Sequence, residues 1–189
     1  MTLLILGLAL FLAAHLLPTF PSAYQRLRDQ MGVAAFTGTF ALMSIAGLVL
    51  AGVGMAQAPT VEVWVPNEFT KSVAPGLMLP AFVLLALAYV QSNINRFLRH
   101  PMLLAVLLWA VAHLLANGDV ASMILFGSLG VYSIVAMISA NRRGAKKATE
   151  YNSVLGDLIG AGVGVGLYAL FVFLHPYLFG VPALLPPVS

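Results

Sequence analysis

Apolar residues fill this chain in long unbroken runs, not in the alternation of a half-buried strand or the one-sided stripe of a surface helix. The runs lie at about Thr2–Leu17, Val33–Gln57, Gly76–Val90, Pro101–Ala116, Val120–Ala140 and Leu158–Gly180. About 20 helical residues, rising ~1.5 Å each, cross a hydrocarbon layer ~30 Å thick. The pattern therefore predicts an all-α, polytopic integral membrane bundle of about six transmembrane helices. It forms a single transmembrane domain over residues 1–189. The first run has the length of a signal peptide core. No Lys or Arg precedes Arg26, however, and no small-residue cleavage site follows, so it is read as a retained span.

The charges between the runs orient the bundle. Arg26, Arg28, Arg96, Arg99, Arg142, Arg143, Lys146 and Lys147 fall in the first, third and fifth loops, and only Lys71 falls in the second. By the positive-inside rule those three loops are cytoplasmic, which places both termini outside the cytoplasm. In the second loop, Val61–Val65 alternates between Pro59 and Pro66 and reads as a short extended or interfacial segment, with Trp64 at headgroup depth. It is expected to cover the outer face of the bundle. The fifth loop, Asn141–Asp157, is the most polar stretch and reads as a mobile connection drawn to anionic lipid.

Composition sharpens this picture. The chain is 61% hydrophobic and 8% charged, against roughly 45–50% and ~25% for soluble domains. Lipid, not water, must solvate most of its surface. The net charge of +3 is accounted for by the loop asymmetry, so no nucleic-acid partner is implied. The absence of Cys excludes disulfides and thiolate chemistry.

No Asp, Glu, Lys or Arg lies within any of the six runs, which removes intramembrane carboxylate relays and Schiff-base lysines from consideration. Four histidines remain: His15 in the first run, His113 in the fourth, His175 near the outer end of the sixth, and His100 at the boundary before Pro101. A lone intramembrane His commonly serves only to hydrogen-bond a neighbouring helix. Several in one small bundle point toward a ligand role. Zinc is poorly served, since there is no His-x-x-x-His pair, no Cys and no carboxylate at membrane depth. Haem needs only one or two axial imidazoles, an apolar slot and a basic edge for its propionates. Arg96 and Arg99, or Arg26 and Arg28, are candidates for that edge. Gly160, Gly162, Gly164 and Gly166 lie inside a span with no strand before them, so they read as close helix contact and not as a dinucleotide loop.

Arg96-Phe97-Leu98-Arg99-His100-Pro101, then Trp109-Ala110-Val111-Ala112-His113 through Asp119, together with Ala14-His15, resemble the signature of the NnrU family. That resemblance implies a bacterial inner-membrane protein associated with denitrification. It also implies likeness to zeta-carotene isomerase, a haem-b membrane enzyme acting by redox-gated cis-trans isomerisation of a lipophilic polyene. Carried over, the resemblance makes His15 and His113 the axial candidates for haem iron, with Arg96, Arg99 and His100 on the cofactor. The isomerase has a Cys where this chain has Ala110, so no thiolate exchange is expected. Depth along the spans alone pairs the histidines differently, His113 with His175 and His15 with His100. Arg99-His100-Pro101 also resembles membrane methyltransferases that use S-adenosylmethionine, although their downstream Glu-Glu pattern is missing here. Three readings result: a haem protein with a redox or isomerase role, a methyltransferase, and a non-catalytic assembly or maturation factor. The expected partners are the bilayer and either a lipophilic substrate or denitrification enzymes.

Overall fold

A computed structural model describes residues 1–184; the end of the expected 1–189 domain lies outside the described residues. Among these residues the regular structure is helical, apart from one isolated antiparallel bridge between Glu62 and Asp119. The helices are α1 (Thr2–Leu16), α2 (Pro21–Met31), α3 (Val33–Ala56), α4 (Glu68–Tyr89), α5 (Ile94–Phe97), α6 (Pro101–Ala116), α7 (Val120–Arg142) and α8 (Val154–Phe179), with a 3₁₀ turn at Leu17–Thr19. Five are long and apolar enough to cross a membrane, and α6 is a shorter apolar helix. The protein is a multi-pass membrane bundle.

The six apolar helices pack in the sequence α3, α1, α7, α6, α4, α8, with α8 resting mainly on α4. Residues without side chains let them approach. A Cβ added at Gly47 of α3 would fall 2.7 Å from the Phe11 nitrogen and 2.9 Å from the Gly7 carbonyl oxygen of α1. The core gathers around Leu4, Leu8, Ala51, Ala121 and Leu129, with Trp109 and Val106 of α6 against it. Around this thin core the outward faces are apolar: Leu42 of α3 is 70% exposed and Leu158 of α8 is 65% exposed. At ~25 cal/mol per Å² such surfaces are untenable in water and ordinary in lipid.

Three features depart from expectation. Helix α4 begins at Glu68, two turns before the apolar run, because Asn67 caps it by accepting from Thr70 N–H at 2.9 Å. The helix continues through Pro75 and Pro80, which membrane helices tolerate because neighbouring groups satisfy the freed carbonyls. The first loop, expected on the cytoplasmic side, is also helical: α2 carries Gln25, Arg26, Arg28 and Asp29 among Tyr24, Leu27 and Met31, and Tyr24 meets Phe36 of α3 edge-on at 5.1 Å. The fifth loop, expected to be mobile, is pinned along its second half. Ala148 N–H donates to the Asn95 carbonyl at 2.9 Å, and Asn152 and Asp157 bind Asn93, as described below.

The second loop does cover one end of the bundle. Val63 N–H donates to the Gly118 carbonyl at 2.8 Å and Val120 N–H to the Val61 carbonyl at 2.9 Å, so the strap is laced to the α6–α7 turn. Gly118 is required there, since a Cβ would run into the Trp64 backbone.

Candidate functional site

His15 sits one residue from the end of α1, in the half of the bundle that bears the basic loops. Its Nδ1 is 2.9 Å from the Phe11 carbonyl oxygen, one turn back. A carbonyl only accepts, so Nδ1 carries the proton and Nε2 holds the free lone pair. The ring is stacked on Phe11 at 3.9 Å, tilted toward Phe40 of α3 at 4.9 Å, and met edge-on by Tyr132 of α7 at 5.9 Å.

His113 repeats this arrangement at the other end. Its Nδ1 donates to the Trp109 carbonyl at 2.8 Å, and its ring is stacked on Phe126 of α7 at 4.4 Å with Trp109 at 5.0 Å. In both cases no protein group engages Nε2 among the described residues, and neither nitrogen is sealed, since every fully buried side-chain N or O has a partner. An imidazole fixed through Nδ1 with Nε2 open is the form that ligates a metal. His175 on α8 has its Nδ1 2.7 Å from the Val181 carbonyl oxygen and its ring tilted toward Phe179 at 4.8 Å.

His15 and His113 both pack against α7. They meet α7 at Tyr132 and Phe126, six positions apart, which is about 9 Å along the helix and about 240° around it. Ala110, one turn before His113, is fully buried where α6 meets Gly130 of α7.

At the basic end, His100 Nε2 lies 3.0 Å from Asn141 Oδ1, and Arg99 donates to the same oxygen at 3.2 Å. Arg only donates, which fixes this atom as the amide oxygen and makes His100 Nε2 a donor, unavailable as a ligand. Arg96 lies over the Tyr151 ring at 5.2 Å. These three groups are ~20 Å from His113 along α6. Asn141 stands nine positions beyond Tyr132 on α7, so this cluster is about 13.5 Å from the level at which His15 meets that helix.

One polar cluster escaped the sequence reading. Asn93, only 6% exposed, donates through its backbone to Asp157 Oδ1 at 2.6 Å and through Nδ2 to Asp157 Oδ2 at 2.7 Å. It also exchanges hydrogen bonds at 2.9 Å with the backbone of Asn152. All its groups are engaged within the protein, so the cluster acts as a latch between loops. Its partners are about 60 residues apart, and no local motif announces them.

Among the described residues no group of three or more His, Cys, Asp or Glu converges on a point. The chain offers no closed all-protein metal cage, whereas a porphyrin, which brings four ligands of its own, asks only for one imidazole. A family model described as "NnrU protein" matches residues 3–183. No curated protein matches the chain, and no solved structure does.

Proposed function

The chain belongs to the NnrU family, and from that membership and the histidine geometry we propose that it is a haem-b-binding protein of the bacterial inner membrane, associated with denitrification. The observation that carries the reading is the shared state of His15 and His113: each Nδ1 is committed to its own helix and each Nε2 is free, within aromatic walls. When bound, haem supplies a redox-active centre that can accept a diatomic ligand.

The chain's own residues set the terms. The i−4 carbonyls of Phe11 and Trp109 fix the tautomer and hold each ring in place. The stacked Phe11 and Phe126 rings keep water from the imidazole faces. The arginines lie toward the end of the bundle nearer His15 but not at its depth: Tyr132, which His15 touches, stands nine positions, about 13.5 Å, before Asn141, to which Arg99 donates. His15 and His113 approach α7 at levels about 9 Å apart, and either imidazole could hold a haem through its free Nε2.

The test is the absorption spectrum of protein purified in detergent, as produced and after titration with haemin. A Soret band that is lost or altered in His15→Ala or His113→Ala, and unchanged in His100→Ala, supports the reading. A preparation that stays colourless and takes up no haemin overturns it.

A further inference from the structure

Between α1 and α7 runs a groove of about 400 Å³, walled by Leu12 and Leu16 of α1 and by the Gly127–Val135 face of α7. Two polar side chains line it, Ser128 and Tyr132, one turn apart. Hydroxyls elsewhere in these helices are satisfied at home: Ser44 donates to the Phe40 carbonyl at 2.7 Å and Ser133 to the Leu129 carbonyl at 2.9 Å. Ser128 and Tyr132 make no such bond among the described residues, and because no fully buried polar atom is left unpaired, their oxygens keep some exposed surface on residues that line the groove. They lie ~12–18 Å from the start of α7, near the middle of the hydrocarbon layer. At that depth there is no water to satisfy them, and a bare hydroxyl in hydrocarbon is costly.

We infer that this groove binds a neutral lipophilic molecule carrying a hydrogen-bonding oxygen, a carbonyl or hydroxyl on an apolar skeleton. No charged side chain lines the groove, so a charged headgroup has no place there. A pure hydrocarbon would leave the Tyr132 hydroxyl unmatched, and Ser128 would have to turn back to the Ile124 carbonyl one turn before it. An annular phospholipid presents only methylenes at this depth. Gly127 makes the room: a Cβ there would meet nothing within 4 Å. Tyr132 also touches His15 edge-on at 5.9 Å, so the polar group of the occupant lies one side chain from that imidazole. The inference does not depend on haem.

The test uses the full chain in lipid nanodiscs and two photoactivatable probes of equal length, a diazirine-bearing long-chain ketone and the matching diazirine-bearing alkane, with labelled positions mapped by mass spectrometry. The ketone is expected to label α1 and α7 along the groove about tenfold more than the alkane, the worth of roughly one net hydrogen bond. Tyr132→Phe combined with Ser128→Ala should erase that preference, and Gly127→Leu should block labelling by filling the groove. Gly162→Leu, at another glycine facing open space, should change nothing and controls for an altered lipid face. Equal labelling by both probes, or a ketone preference that survives Tyr132→Phe/Ser128→Ala, would overturn the inference and return the groove to ordinary lipid contact. Should the double variant misfold, the Gly127→Leu and Gly162→Leu pair decides alone: equal labelling of the two overturns the inference.

Discussion

Gly162 and Gly164 stand two residues apart in α8, and the structure assigns them opposite tolerances. A Cβ at Gly164 would fall 2.5 Å from Val83 Cα and 2.9 Å from the Phe82 carbonyl oxygen, whereas one at Gly162 would meet nothing within 4 Å. The groups struck at Gly164 are backbone, which cannot rotate away. Restoring an ordinary contact of ~3.4 Å therefore means moving α8 off α4 by roughly 1 Å, at a cost of about 1–3 kcal/mol for overpacking. Because α8 packs mainly on α4, few other contacts offset that displacement. Gly162→Ala meets no obstacle and gains up to ~1 kcal/mol of helix propensity. Alanine gains the same propensity at both positions, so the pair should differ by the packing cost alone, about 1–3 kcal/mol, in any reversible unfolding assay, such as SDS titration of detergent-solubilised protein followed by circular dichroism. Equal stability of the two variants, or a greater loss from Gly162→Ala, would refute the α4–α8 packing described here.

Asn93→Ala removes the side-chain half of the latch to Asp157 and Asn152; limited proteolysis should then cut between residues 145 and 152 faster than in the parent, and an unchanged rate would show that the loop is held some other way. Gly118→Ala drives a methyl group into the Trp64 backbone and should release the outer strap, read as faster quenching of tryptophan fluorescence by aqueous acrylamide; unaltered quenching counts against the strap. A reporter fused to the C-terminus should read as outside the cytoplasm and one inserted at Gly144 as inside, since eight of the nine Lys and Arg lie on one side of the bundle. The opposite reading at either point would mean that the spans are miscounted.

The spans were legible in the sequence because lipid exposure demands apolar runs, and a run is a local property. What stayed hidden was polar or distant. Glu68, Thr70 and Lys71 disguise the first turns of α4, and only the cap from Asn67 shows that the helix already exists there. α2 is too short and too polar to register as a span, yet it has an apolar side through which Tyr24 meets Phe36 of α3. The latch joins Asn93 to Asp157 across 64 positions, and periodicity carries no information about such a pair. Gly160 and Gly164 could be read as close contacts from their spacing, but not that Leu87, Val90 and Val83 of α4 are what they touch. The same spacing assigned Gly162 and Gly166 to close contact as well, and there the structure corrects it: a Cβ at either would meet nothing within 4 Å, because that side of α8 faces away from α4.

The histidines show the same limit most sharply. A sequence gives the height of a residue along its helix but not its direction around the bundle, and ligation depends on both. Height alone separates His15 from His113, and their contacts on α7 at Tyr132 and Phe126 maintain that separation. Height also pairs His15 with His100, but direction cancels the pair, because His100 turns its Nε2 to Asn141. The shared tautomer of His15 and His113 could not be read from the sequence at all, since an Nδ1–H bond to the i−4 carbonyl is a rotamer choice available to any helical His. The two imidazoles share this tautomer and meet α7 at residues about 9 Å apart along the helix. Removing either histidine should leave the ring of the other held as before, because the Phe11 and Trp109 carbonyls fix each tautomer from within its own helix.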